Sequence, residues 1–227
     1  FGTVLIPGVE GGRWIGTGHS EGGREIVHSL RFTADGDDRP VEVGATLEGD
    51  QFELFKESTI HKFKAEHTIT ISDSEIVQRA LLTATEAHSL SRMYLFMHCI
   101  EPATTAWIAE LPDGSLTEGA FDADGGFELE QPARWAAQWF PEQQLSVLLY
   151  LTRIPQAEGT MLRMWDQERY HKFYVQHNDG TSIAGDEVLD FTLVFTVVEG
   201  ETGDWSATKA AADTLKAKYP PADAEEE

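Results

Sequence analysis

Apolar and polar side chains alternate with a period of two through most of this sequence, and no other feature restricts the accessible folds as much. From Val188 to Val198, Leu189, Phe191, Leu193, Phe195 and Val197 fall on one side while Asp190, Thr192 and Thr196 fall on the other. That is the spacing of a β-strand with one face turned to a core. The same reading places strands over Glu25–Thr33, Val41–Leu47, Gln51–Lys56, Ile60–Ile71, Ile76–Ala84, Arg92–His98, Trp107–Leu111, Phe127–Glu130, Leu145–Thr152, Met161–Trp165 and Tyr170–Gln176, about a dozen in all. Turn signals separate them: Asp35-Gly36, Glu48-Gly49-Asp50, Asp113-Gly114, Asp124-Gly125-Gly126 and Asn178-Asp179-Gly180. Gly and Asn there supply the positive φ that tight hairpins require, so consecutive strands are expected to pair antiparallel. The chain is predicted to be all-β.

One helix is expected near the C-terminus, over about 204–219, with Asp204 as N-cap, Ala207, Ala210, Ala211 and Leu215 along it, and Pro220-Pro221 ending it. No repeat, no linker rich in Gly, Pro or Ser and no shift in composition divides the chain. Residues 1–221 are therefore read as a single domain and 222–227 as an acidic tail. So many strands need two large curved sheets, a large antiparallel sandwich, rather than the seven short strands of an immunoglobulin fold.

The chain has 227 residues, with 17 Lys and Arg against 39 Asp and Glu, for a formal net charge of −22. A nucleic-acid partner would be repelled at long range and is not expected. Screening limits that repulsion to about 8–10 Å at ordinary salt, so an acidic sugar in a locally basic groove stays compatible with this charge. Cys99 is the one cysteine, which precludes an internal disulfide and a cysteine-rich zinc site. No apolar run approaches the ~20 residues that cross a bilayer, so membrane insertion is not expected. The compartment and the oligomeric state stay open, a periplasmic or secreted location being among those allowed.

Candidate chemistry gathers in four clusters. The first, Trp14 to Glu25, is rich in glycine and holds His19 and Arg24; it reads as a sugar-binding rim or as a hairpin whose charges face water. It lacks a dinucleotide-loop spacing, and a strand rather than a helix follows, so no nucleotide is expected. In the second, Glu57 to His67, an unbroken strand would turn His61, Phe63 and His67 to one side. Those two imidazoles would stand about 20 Å apart, too far to share a metal. His67 reads as a hydrogen-bonded structural histidine.

In the third cluster, Tyr94, Phe96 and His98 alternate with Met93, Leu95, Met97 and Cys99, so His98 closes an aromatic face. It reads either as a satisfied core histidine or as part of a platform on which a pyranose stacks and to which an imidazole donates a proton near neutral pH. The fourth, Trp165 to Tyr174, mixes titratable and aromatic residues most densely. Arg169, His171 and Phe173 would share one face, and Tyr170, Lys172 and Tyr174 the other, making a basic aromatic seat for a hydroxylated or carboxylated ligand, or else an edge strand with solvated charges. The chain has no GxSxG elbow, no HExxH and no EF-hand loop, so no metal and no cofactor is predicted. Cys99, after apolar Met97, reads as an inert core thiol.

The segment Ser91-Arg92-Met93-Tyr94-Leu95-Phe96-Met97-His98-Cys99, with Thr104-Thr105-Ala106-Trp107 and Asp124-Gly125-Gly126-Phe127, resembles the galactose mutarotase-like superfamily in its long meandering strands and in one strand that ends in histidine. The aldose epimerase pattern Asn-x-His-x-Tyr-Phe-Asn is absent around His98. The resemblance implies a β-supersandwich whose concave sheet binds carbohydrate, a fold that the superfamily uses in epimerases, in accessory domains of polysaccharide lyases and in glycoside hydrolases. In its epimerases a glutamate takes the anomeric hydroxyl proton while a histidine protonates the ring oxygen, a role that His98 would match.

The expectation is thus a carbohydrate-binding or carbohydrate-modifying protein. Its ligand face would be drawn from His19, Arg24, His61, Trp165, Arg169, Tyr170 and Lys172. If it transfers a proton at a sugar, in the manner of an epimerase or a lyase, His98 or His171 is the acid and Asp166 or Glu168 the base. The alternative is a noncatalytic sugar-binding or structural module of a cell-envelope pathway.

Overall fold

The computed structural model describes residues 2–40, 42–122, 125–153, 160–180 and 182–220. Val41, Asp124 and the acidic tail at 222–227 lie outside them, as do the side chains of residues 153, 178 and 179. The first third of the chain forms β1 (Thr3–Pro7), β2 (Ile15–Gly16), β3 (Gly23–Arg24), β4 (Ile26–Ala34), β5 (Asp37–Arg39), β6 (Phe52–Ile60), β7 (Phe63–Ile71) and β8 (Glu75–Ala84). Then come β9 (His88–Ile100), β10 (Ala106–Glu110), β11 (Leu116–Ala120), β12 (Phe127–Gln131), β13 (Trp135–Phe140) and β14 (Leu145–Arg153). The last part holds β15 (Met161–Gln167), β16 (Tyr170–Asp179), β17 (Ser182–Ile183), β18 (Val188–Glu199) and the helix α1 (Ser206–Lys218).

These strands build two sheets. The eight-stranded one runs β12-β15-β16-β9-β1-β2-β3, with β17 paired to β9, and the ten-stranded one runs β11-β10-β13-β14-β18-β8-β7-β6-β4-β5. Pairing is antiparallel except between β2 and β3. Leu5, Met93, Leu95, Leu162 and Phe173 of the smaller sheet meet Phe63, Leu82, Leu149 and Phe191 of the larger one in a common core, each large side chain contributing about 2–3 kcal/mol by leaving water. The expected all-β sandwich with one C-terminal helix is the architecture observed. Asp35 (φ 52°) and Gly36 (φ 84°) make the two-residue turn between β4 and β5, as their sequence requires.

Trp205, Ala212 and Leu215 pack against Ile108, Trp135, Ala137, Leu148, Tyr150 and Val194, which places α1 over the outer face of the ten-stranded sheet. Strand β13 therefore has apolar neighbours on both faces, Ala136 in the inter-sheet core and Trp135 and Ala137 under the helix. A strand buried on both sides has no period-two signature, which is why it is missing from the sequence reading. The short strands β1, β2, β3, β5, β11 and β17 also escape that reading.

Three expectations are corrected. Residues 42–47 form no strand; Val43 is fully exposed, so its apolar character buries nothing. The expected strand Ile60–Ile71 is interrupted, because His61 adopts φ 53° and with Lys62 turns β6 into β7. At the helix start, the N-cap position belongs to Trp205 (φ 63°) and carries no side-chain cap. The buried carboxylate of Glu201 instead accepts from the backbone N–H of Gly203, Trp205 and Thr208 and from the Thr208 hydroxyl, at 2.8–3.0 Å. Asp204 accepts from the N–H and hydroxyl of Ser206.

Candidate functional site

The outer face of the eight-stranded sheet is built from cross-strand rows. In one row Phe127 (β12) pairs with Trp165 (β15), Trp165 with Lys172 (β16), and Lys172 with Cys99 (β9). In the next, Glu130 pairs with Arg163 and Arg163 with Tyr174. A third joins Met161, Gln176, Tyr94 and Val4. Side chains opposite one another on one face lie close enough to touch, and here most of them are aromatic or cationic.

The rings are held in a connected series. Phe127 and Trp165 stack at 5.6 Å between centroids, and the Arg163 guanidinium lies over Phe127 at 4.3 Å. Arg163 is ion-paired with Glu130 and donates to Gln176 Oε1 at 2.7 Å. Tyr174 lies against Tyr94 at 4.7 Å, Tyr94 against Trp14 at 4.8 Å and Trp14 against His19 at 5.7 Å. The middle of the series, Arg163 and Tyr174, is buried; burial and the neighbouring Tyr94 push the Tyr174 phenol up to about 12. Its two ends are open: Phe127, Trp165 and Lys172 at one, Trp14 and His19 at the other. Trp165 Nε1 donates to the Gly125 carbonyl at 3.0 Å, which fixes the plane of the indole.

Of the residues singled out from sequence, Trp165, Tyr170 and Lys172 share this outer face. His19 joins it through Trp14, and its imidazole lies 3.2 Å from Glu21. Arg24 is exposed on β3. Glu168 and Arg169 form the exposed two-residue turn between β15 and β16, so Arg169 does not share a strand face with His171. His61 stands apart, in the turn at the end of the ten-stranded sheet, its ring 5.6 Å from that of His88. There it lines a crevice of about 490 Å³ with Pro7, Gly12, Ile15 and His88; burial, then the charges of His88 and Lys62, lower its pKa.

His98 and His171 face the interior. His98 stacks on Phe195 of the opposite sheet at 5.2 Å, and burial holds it down to about 4. The reason lies in β9. Leu95 pairs with Val175 but His98 with Phe173, so three steps on β9 match two on β16, and Phe96 takes the left-handed φ of 52° at this bulge. The extra residue inverts the faces beyond it. Tyr94 stays outside, His98 turns in, and Cys99 turns out. The reading of Cys99 as a core thiol is thereby corrected, since it is exposed.

His171 Nε2 lies 3.2 Å from Asp166 Oδ1, with both residues buried. Its Nδ1 meets the Thr104 hydroxyl, and its ring stacks on Phe121 at 3.8 Å. Burial lowers the His171 pKa and the Asp166 charge opposes that. Asp166 Oδ2 also accepts from the Asp122 N–H at 3.1 Å. Carboxylate oxygens of Asp122, Glu128 and Asp166 lie within 4.8 Å of one another, a donor set of the kind that hard cations use. Sequence reasoning passed over Phe127 and Arg163 as members of the face, and left Trp14 and Tyr174 out of the ligand set although it had placed them beside its residues; the alternation of Tyr170, Lys172 and Tyr174 was the signal that could have extended to Arg163 on the neighbouring strand.

No family model and no curated protein matches the sequence. Solved structures do. An α-galactosidase from Lactobacillus brevis superposes with a TM-score of 0.55 at 11% identity, over 88% of this chain and 29% of that one. The α-galactosidase AgaA from Geobacillus stearothermophilus gives 0.52 at 9% identity, over 87% of this chain and 30% of that one. A candidate aldose 1-epimerase from Escherichia coli K12 gives 0.40 at 11% identity, over 74% and 78%. The chain thus spans under a third of the length of these α-galactosidases, and at such identities the likeness speaks to fold. It shares a large two-sheet β-sandwich fold with these parts of the α-galactosidases.

Proposed function

We propose that the outer face of the eight-stranded sheet binds carbohydrate, with pyranose rings lying against Trp165 and Phe127 and hydroxyl groups meeting Lys172, Tyr170 and, at the far end, His19. The observation that carries this reading is the series of ring contacts from Phe127 to His19, joined between Phe127 and Tyr174 by the Arg163 guanidinium and open at both ends on one sheet face. A sugar presents a C–H face to such rings and a polar rim to the groups around them. Likeness in fold to two α-galactosidases supports a sugar as the ligand. Titrating the protein with neutral and acidic oligosaccharides, followed by thermal shift and by tryptophan fluorescence, tests the reading. A stabilising ligand is expected, and Trp165→Ala should weaken it by about tenfold. A folded protein that responds to no sugar would overturn it.

One observation favours a second reading, proton transfer at a sugar: the 3.2 Å approach of the His171 imidazole to the Asp166 carboxylate, two groups of the kind that move protons. Both groups lie between the sheets, so this reading requires the sandwich edge near Phe121 to open. Turnover of a sugar in an epimerisation or lyase assay, lost in His171→Ala while binding survives, would establish it.

A further inference from the structure

We infer that the sugar face selects carboxylated sugars, uronic acid residues, and that the Lys172 ammonium receives their carboxylate. This rests on the reading of the outer face as a sugar platform and adds the chemical class of the ligand. The argument begins with charge. In a chain of net charge −22 many cations hold a carboxylate: Lys56 pairs with Glu25, Lys62 with Glu86, Lys64 with Glu57 and Glu66, Arg79 with Asp190, Lys218 with Glu75, while Arg13, Arg24, Arg169 and Lys216, which have no such partner among the described residues, stay exposed to water. Arg163, in the next row of the sugar face, is held by Glu130.

Lys172 is different. Among the described residues no carboxylate pairs with it, and its ammonium lies over the Tyr174 ring at 5.0 Å. The residue is half-buried, and that burial lowers its pKa while the neighbouring Cys99 opposes the shift, which marks a cation partly stripped of water without a carboxylate in return. Its cross-strand neighbours on the two sides are Trp165 and Cys99, neither of which carries a carboxylate. A partly desolvated ammonium beside a fixed indole presents two contacts at once: a flat surface for the sugar ring and a charge for the group at its C6 position. A neutral hexose can use only the first. A uronate uses both, and a charge-assisted contact is about twice as strong as a neutral one. The overall negative charge does not prevent this, because its repulsion is screened beyond about 8–10 Å while the contact with Lys172 is direct.

Calorimetric titration with oligomers of galacturonate, glucuronate and mannuronate, each compared with its fully methyl-esterified form, tests the assignment. Esterification keeps the ring and removes the charge. At least one free acid should bind at least about tenfold more tightly than its ester. Lys172→Met should bring that ratio close to one by weakening the free acid far more than the ester, Lys172→Arg should retain it, and Trp165→Ala should weaken both forms. If acid and ester bind wild-type protein equally, or if the ratio survives in Lys172→Met, the assignment of Lys172 fails and the sugar platform stands. If neither form of any oligomer binds and neutral sugars bind, the selectivity for uronates fails alone. If no sugar binds to the folded protein, both readings fall.

Discussion

Tyr94 and His98, four residues apart on one strand, face opposite sides of their sheet. An unbroken strand would have put them on the same side. The bulge at Phe96 separates them, sending the phenol to the aromatic series outside and the imidazole to a stack on Phe195 inside.

The position of His98 predicts an acid-sensitive fold. Its pKa is held down to about 4 by burial, as are those of His67 and His177, while an unfolded histidine titrates near 6.5. Between these values the unfolded chain binds protons that the native one does not. The stabilisation is therefore complete above about pH 6.5 and is lost as the pH falls toward 4, by up to roughly 3 kcal/mol for each histidine. Urea midpoints measured from pH 7.5 to pH 4 should fall across this window, before most carboxylates titrate, and His98→Leu should flatten the slope. An equal slope in the variant would remove His98 from this account.

Asp166 is expected to tune His171. Burial lowers the His171 pKa and the Asp166 carboxylate partly restores it, so Asp166→Asn should lower the titration midpoint of His171 further. A ring-proton titration of His171 by NMR would measure this, and an unchanged or raised midpoint would show that the 3.2 Å approach is not an electrostatic coupling.

Glu201 anchors the start of α1. Burial raises its pKa, but hydrogen bonds from Thr208, Trp205 and Gly203 outweigh that and leave the carboxyl below its ordinary range. Glu201→Ala would strand four donors in a buried site and should cost about 2–3 kcal/mol. Hydrogen exchange should accelerate first at the amides of Trp205 and Thr208. Asp204→Ala, at an exposed position, should cost less.

The Lys56–Glu25 pair, 2.7 Å apart and nearly closed to solvent, is the ion pair whose disruption should be felt most. Lys56→Met leaves the Glu25 carboxylate, among the described residues, with only the Ser58 and Thr17 hydroxyls as hydrogen-bond donors and should destabilise the fold by about 3 kcal/mol. Adding Glu25→Gln should recover part of that loss, because no buried charge then remains. Chemical denaturation of the single and double variants separates these outcomes.

How much of this was legible in the sequence follows from which interactions are local. The period of two is set by the pleat itself, so the strands over 188–198, 76–84 and 170–176 and the hairpin turn at Asp35-Gly36 could be read directly. So could the grouping of Tyr170, Lys172 and Tyr174 on one face, because β16 stays regular between those positions. The sequence also carried the C-terminal helix and enough alternating strands to imply a large two-sheet sandwich. Which face looks outward, and what stands beside it, depended on partners far along the chain. Only the pairing of β9 with β16 required an extra residue at Phe96, and that residue exchanged the environments of His98 and Cys99. Only the packing of α1 made both faces of β13 apolar and erased its alternation. The approach of His171 to Asp166 and the row from Phe127 through Trp165 to Lys172 arise between strands, where register, and not local spacing, decides which side chains meet.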